Sequence, residues 1–295
     1  MDAPLKPAET ALARPRARVP VAAPEPLERL EIALLLEALH YRHGYDFRGY
    51  ALPFLARRVR RRVQEEGVRT ISGLQEKVLR DAEAMGRLIL GLSVPTTSMF
   101  RDPGFYRGLR ERVLPVLRTY PVIRIWHAGC SSGEEVYSLA ILLLEEGLYG
   151  RSRLYATDVQ PSLLQRASQG VVELEAARRW EEAYRSAGGR HQLARYYSAQ
   201  GPRAVLAPEL RANVMFAQHN LVTDASFNEF NLILCRNVLM YFDAPLQQRA
   251  HGLLCDSLVR FGFLGLGRRE TVGGPEAERR YALLDLHEKL YRKVA

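Results

Sequence analysis

Cysteine is scarce in this chain of 295 residues: Cys130, Cys235 and Cys255 are an odd number with no C-x-x-C spacing. That excludes a disulfide framework, gives no zinc-ligand pattern, and fits a reducing compartment, the cytoplasm by default; no metal is expected. Long apolar runs are missing too. None approaches the roughly 18 residues that a membrane-spanning helix needs, so membrane insertion is not expected. Residues 1–26 are rich in Ala, Pro and Arg but have no apolar centre next to a cleavage site, which argues against a secretory signal. Six prolines and few large apolar side chains predict a disordered leader over that stretch. Lysine is nearly absent, with four Lys against 38 Arg, a bias that genome composition alone could produce.

What is present is balanced: 47% hydrophobic and 25% charged, enough for a large core without disulfides or metal. The net charge of +9 is uneven. Residues 1–120 hold 21 basic and 14 acidic side chains, and residues 121–295 hold 21 and 19. Where the charge sits is therefore more informative than its amount.

Apolar residues at helical spacing predict four helices, over 30–39, 50–66, 71–80 and 81–90, making a small all-α domain at 27–92. The second carries Arg57, Arg58, Arg60, Arg61 and Arg62 between Leu55, Val59 and Val63. A linker and connecting helix follow over 93–120. From 121 to the end, short apolar runs at 122–128, 153–157, 214–217, 232–235 and 261–266 alternate with helical patterns, and 291–294 reads as a last strand. This rhythm predicts an α/β, doubly wound parallel sheet with helices on both faces. Residues 171–212 break it. They are polar, with a turn at Gly188-Gly189 and short strands expected over 195–198 and 203–206, so they read as an inserted β subdomain.

Three segments could carry chemistry. The first runs Ile125-Trp-His-Ala-Gly129-Cys-Ser-Ser-Gly133-Glu134-Glu135, a strand, a small-residue turn and a helix start. It is not G-x-G-x-x-G, and two acids at the helix start would repel a pyrophosphate but welcome a cationic ligand head. A plain turn with helix-capping acids is the alternative. Asp158, ending the second strand, can accept hydrogen bonds from ribose hydroxyls or cap the helix that starts at Pro161. The third segment, 232–242, runs a buried strand into Arg236-Asn237 and on to Tyr241, polar groups at a sheet edge that either bind a ligand or face solvent. An acid near a cation, small residues under a sugar and an acid on a ribose describe S-adenosylmethionine better than NAD or ATP.

Five collinear motifs then carry a resemblance. Thr97-x-x-Phe100-Arg101-Asp102, Ala128-Gly-Cys-Ser-Ser-Gly-Glu-Glu-Val-Tyr-Ser138, Ala156-Thr-Asp158, His219-Asn-Leu221 and Cys235-Arg-Asn-Val-Leu-Met-Tyr-Phe242 resemble the successive motifs of the CheR family, the chemotaxis receptor methyltransferases. The likeness extends from about Leu27 to the C-terminus and includes the arginine-rich helix. It implies a class I, Rossmann-like methyltransferase sheet using S-adenosylmethionine, with S-adenosylhomocysteine as product. The methyl group would go to glutamate γ-carboxylates of chemotaxis receptors, as methyl esters. The resemblance places cofactor contacts on Thr97, Arg101, Gly129, Glu134 or Glu135, Asp158, Asn220, Leu221, Arg236 and Asn237, and the transfer site on Arg101 and Tyr241. Pro95, Ser132 and Val136 depart from the family pattern; Pro95 cannot make a side-chain hydrogen bond, so one cofactor contact is lost or differently supplied, and it alone speaks for the rival reading of a non-catalytic binding module. A carboxyl methyltransferase for a non-receptor signalling protein is a further alternative.

Under this resemblance the Arg57 to Arg62 cluster becomes a docking surface for the acidic cytoplasmic methylation helices of receptors, steered electrostatically. A solvated helix face is the bland alternative. Nucleic acid is not expected as a partner, since no recognisable module or Asn/Asp-Pro-Pro-Tyr segment is present. A monomer is expected. Few glycines in 171–212 argue against docking of a receptor tail there.

Overall fold

In the computed structural model, residues 24–92, 97–273 and 279–294 are described. Most of the leader and Pro95 lie outside them. Four helices open the chain: α1 Pro26–His43, α2 Leu52–Glu65, α3 Ile71–Arg80 and α4 Ala82–Leu92. Sequence sets their ends. Gly44 takes φ 75° to close α1, and the Thr70 hydroxyl accepts the Gly73 N–H to start α3. Their inward stripes, Leu35, Leu39, Leu55, Val59, Leu74 and Leu88 among them, form one small core.

A single carboxylate ties this domain together. Glu66 meets Lys77 at 2.9 Å and Arg87 at 2.7 Å, joining α2, α3 and α4. Hydrogen bonds from Arg87 and Lys77 draw its carboxyl down to about 2. A depressed carboxyl contributes stability above its unfolded value, near 4.5, and loses it as pH falls toward 2. Glu66→Gln is therefore expected to flatten the loss of helical signal between about pH 4.5 and 2 in a circular-dichroism titration. An unchanged acid limb would refute this.

A connecting helix follows. Its first part, α5 Pro103–Gly108, passes through a π turn at Leu109–Val113 into α6 Leu114–Leu117. Pro115 lacks the N–H that would bond back to the Glu111 carbonyl, a local reason for the widened turn.

The remaining chain builds β1 Ile123–Ala128, α7 Glu134–Glu145, β2 Ser152–Asp158 and α8 Pro161–Gln169, then the inserted β3 Val171–Glu173, α9 Leu174–Arg179, α10 Glu181–Ser186, β4 Tyr197–Gln200 and β5 Arg203–Leu206. It closes with β6 Val214–Gln218, β7 Phe230–Cys235, α11 Ala244–Asp256, β8 Leu258–Leu266, β9 Tyr281–Asp285 and β10 Leu290–Lys293. The main sheet has the order β6-β2-β1-β7-β8-β10-β9, parallel through β8 and antiparallel beyond it. It is the doubly wound sheet expected, with an antiparallel edge. From β1 the chain builds outward to β2 and β6, then returns to lay β7 on the other flank, so the switch point lies between the carboxyl ends of β1 and β7.

The insertion forms its own three-stranded sheet, β3-β5-β4. The strand expected over 203–206 is β5, and the one expected over 195–198 is β4, two residues later, because Leu193–Tyr196 forms a tight helical turn that buries Leu193 and Tyr196 three residues apart. Buried Glu145 rivets this subdomain to the rest, accepting hydrogen bonds from Arg110, Tyr184 and Tyr196. β8 begins three residues earlier than its apolar run suggests, because a register shift opposite β7 and Phe261 at φ 64° interrupt the pattern. Among the described residues, no helix is long and apolar enough to cross a membrane.

Candidate functional site at the switch point

A cleft opens at the carboxyl ends of β1, β2 and β7. Its lining includes Thr97, Arg101, Gly129, Glu135, Asp158, Asn220, Leu221, Arg236, Asn237 and Tyr241, residues brought together from five chain segments. Glu134 is not among them. The first turn of α7 points its carboxylate instead to the Ser132 hydroxyl, at 2.8 Å, where burial pushes it upward. The phase of α7 thus gives the cleft Glu135, not both acids.

The turn after β1 is shaped by its glycine. Gly129 has φ 79°, and a Cβ there would stand 2.5 Å from Val238, so a larger residue would push the β1 and β7 turns apart. Gly129 and Cys130 both donate N–H to the Thr157 carbonyl, which joins this turn to the end of β2. Asp158 then accepts the Ser131 N–H at 2.9 Å and the Gln160 N–H at 3.0 Å. Burial raises its carboxyl, and these amides pull only partly the other way. Each carboxylate oxygen has two acceptor positions, so capacity remains for a ligand's hydroxyls.

Arg236 is the hub of the site's charge. Its guanidinium meets Asp102 at 2.7 Å and Glu135 at 3.1 Å, donates to the Arg101 carbonyl at 3.2 Å, and lies 4.0 Å over the Phe105 ring. The side chain is only 2% exposed. Glu135 also takes the Nδ1–H of buried His127 at 3.1 Å. Burial alone would lift the Glu135 carboxyl, but the His127 bond and the Arg236 charge hold it below its ordinary value. An ionised acid and a guanidinium therefore stand side by side in the cleft, a pair suited to a zwitterionic amino-acid group.

Backbone strain gathers here. Among the described residues, six other than glycine have positive φ, and four of them, Phe100, Asp102, Ser131 and Asn237, flank or line this cleft. Such conformations cost energy and persist where surrounding contacts over-determine them. The two that bracket Arg101 turn its segment sharply. The Phe100 N–H is fixed by the Ser138 hydroxyl at 2.9 Å and the Arg101 carbonyl by Arg236.

The helical domain completes the site. Tyr50 and Phe54 line the cleft, and Phe54 packs 4.8 Å from the Tyr241 ring. Ala51 donates its N–H to the Tyr241 carbonyl, and Asp243 to that of Gly49, a short ladder that locks the two domains at this loop. Burial raises the Tyr241 hydroxyl despite nearby Arg101 and Arg58, keeping it a proton-bearing donor at neutral pH. Of the five clustered arginines, Arg60 is paired with Glu28, Arg61 with Glu65, and Arg62 with Glu65 and Glu66. Arg57 and Arg58 are the two whose charge reaches Tyr241, and among the described residues neither has a carboxylate within 4 Å.

Sequence reasoning did not single out Tyr50, Phe54, Asp102, His127 or Glu270 as site residues. Asp102 and His127 stand inside quoted motifs, but nothing local shows that they meet Arg236 and Glu135. The aromatic pair belongs to another domain, and Glu270 follows the strand beyond Arg236.

The donor set asks for a ligand with vicinal hydroxyls, a zwitterionic end and a flat apolar part against Val159, Leu163 and Leu221. The CheR methyltransferase all-alpha domain model matches residues 30–93, and the CheR methyltransferase SAM binding domain model matches 95–287. A protein of Pseudomonas putida named "Putative methyltransferase Cher3" is 46% identical over 90% of this chain and 97% of its own. A chemotaxis protein methyltransferase of Listeria monocytogenes is 31% identical over 85% of this chain and 92% of its own. Chemotaxis protein methyltransferase 1 of Pseudomonas aeruginosa is 30% identical over 73% and 80%. With both domain models in order along a chain whose sheet, cleft and helical roof are as described, the protein belongs to the CheR methyltransferase family.

Proposed function

We propose that this protein transfers a methyl group from S-adenosylmethionine to glutamate γ-carboxylates of chemotaxis receptors in the cytoplasm, forming methyl esters. The observation that carries this reading is the cleft itself. Asp158, Glu135, Arg236 and the Gly129 turn converge at the switch point, beside a mouth formed by Arg101, Tyr241 and the Arg57–Arg58 end of the basic cluster. Asp158 would hold the ribose hydroxyls, Glu135 the ammonium, and Arg236 with Asn237 the carboxylate end. Bound there, S-adenosylmethionine supplies an electrophilic methyl group.

The chain has little acid–base work to do. A receptor glutamate with its ordinary pKa near 4.3 is already an anion at neutral pH, so no general base is needed. Arg101 anchors the incoming carboxylate, and the Tyr241 hydroxyl, held protonated by burial, donates to it and orients it. Tyr50, Phe54 and Phe242 exclude water from above. Orientation of this kind can supply roughly 7–11 kcal/mol of the barrier. Outside the mouth, Arg57 and Arg58 steer an acidic helix toward it.

Two measurements test the reading. Calorimetry should show binding of S-adenosylhomocysteine, weakened about 10- to 100-fold in Asp158→Ala through loss of charged hydrogen bonds. Incubation with receptor cytoplasmic domains and labelled S-adenosylmethionine should give base-labile methyl esters, which release labelled methanol when treated with base. Binding without ester on any receptor would favour a regulatory module and overturn the catalytic reading.

A further inference from the structure

We propose that Glu270 is a positioning residue for methyl transfer: its buried carboxylate holds the turn that carries Asn237 and Tyr241 into the cleft. The inference rests on the catalytic reading above, but part of its test does not.

Glu270 is 5% exposed, and no side chain of opposite charge is within 4 Å among the described residues. Its partners are backbone amides. One oxygen accepts the Gly267 N–H at 2.7 Å and the Asn237 N–H at 2.8 Å, and the other accepts the Met240 N–H at 3.1 Å. Burying a carboxylate for the sake of a loop is costly, and three charge-assisted bonds offset that cost only in this backbone geometry. The geometry is unusual, since Asn237 sits at φ 62°, where a side-chain-bearing residue stays only if something holds it.

Gly267 gives an independent sign of the same fit. A Cβ on it would lie 2.7 Å from Asn237 Nδ2, 2.7 Å from Glu270 Oε2 and 2.8 Å from the Asn237 nitrogen. The β8 end and the post-β7 turn are thus in direct backbone contact, with the carboxylate wedged between them. On its other side the turn is held by the helical domain, where Ala51 donates to the Tyr241 carbonyl. Asn237, Val238 and Tyr241 all line the cleft, so any slack in this clamp reaches cofactor and substrate together.

The test compares the full-length protein with Glu270→Gln and Gly267→Ala. The glutamine keeps the shape but sets an NH2 group against a backbone N–H, and the alanine crowds Asn237 with the carboxylate intact. For both, the affinity for S-adenosylhomocysteine by calorimetry should fall about tenfold. On a receptor cytoplasmic domain kcat should fall about 100-fold, with KM within threefold and melting temperature within a few degrees. A misplacement of about an ångström is enough for such a loss. Wild-type affinity in Glu270→Gln would overturn the proposal, as would a kcat that drops only in proportion to the folded fraction. If the wild type binds the product but esterifies no receptor, the catalytic reading fails, and the affinity comparison still decides whether Glu270 holds the turn.

Discussion

Arg236→Met is expected to lower the melting temperature by roughly 10 °C and to abolish measurable binding of S-adenosylhomocysteine. The methionine can still cover Phe105, so packing is largely kept and the loss is electrostatic. Removal of the guanidinium leaves Glu135 and Asp102, both mostly buried, without the cation 3.1 and 2.7 Å away. Stranding one side of a buried ion pair typically costs about 3–5 kcal/mol, and each kcal/mol is worth about 2–4 °C in a domain of this size. His127 and the more distant Arg268, 3.7 Å from Asp102, soften the penalty without removing it. The Arg101 carbonyl loses its donor as well, so the strained turn between Phe100 and Asp102 relaxes. Adding Glu135→Gln to Arg236→Met should recover part of the melting temperature but none of the binding, because the stranded charge is gone while the zwitterion site is too. A melting temperature within 2 °C of wild type for the single variant would show that the cluster is solvated and contributes little.

This cluster also shows what a sequence reveals and what it withholds. The Gly129 turn, Asp158 and Arg236 were legible because each ends a short apolar strand, and a strand end in a doubly wound sheet faces ligand. The fold followed from the same alternation. Pairing did not follow, because Arg236 meets an aspartate 134 residues earlier and Asn237 is held by a glutamate 33 residues later. Only the closed sheet makes them neighbours. The choice between Glu134 and Glu135 depended on the phase of one helix turn, and no pattern of adjacent acids encodes it. The arginine-rich helix misled in amount: its residues were read as one basic face, yet Glu28, Glu65 and Glu66 take up three of the five charges. In the inserted subdomain the alternating burial of Arg203–Leu206 made β5 legible, whereas β4, half-buried at one residue and exposed at the other three, carries no period-two signal to fix its ends.

Arg101→Ala is expected to cut kcat/KM toward a receptor cytoplasmic domain about 1000-fold, with S-adenosylhomocysteine affinity changed less than tenfold and melting temperature within about 3 °C. The separation of effects follows from how Arg101 is held. Its backbone joins the structural network through bonds that do not involve the side chain: the carbonyl takes Arg236, and the neighbouring Phe100 amide takes Ser138. Truncating the side chain leaves those bonds in place. The guanidinium belongs to the cleft wall beside Tyr241, whose hydroxyl feels its charge. A carboxylate leaving water for this mouth needs a fixed cation to replace its hydration, and removing one such preorganised group commonly costs 100- to 1000-fold. Loss of the anchor for an already desolvated anion belongs at the upper end. Arg101→Lys should restore only part of the rate, because an ammonium offers a point charge where the guanidinium offers a planar fork. Tyr241→Phe, measured beside it, separates anchoring from orientation, since it removes the hydroxyl and leaves the ring on Phe54. Near-normal turnover in Arg101→Ala would remove this residue from the transfer site and leave the arginines of α2 to receive the substrate.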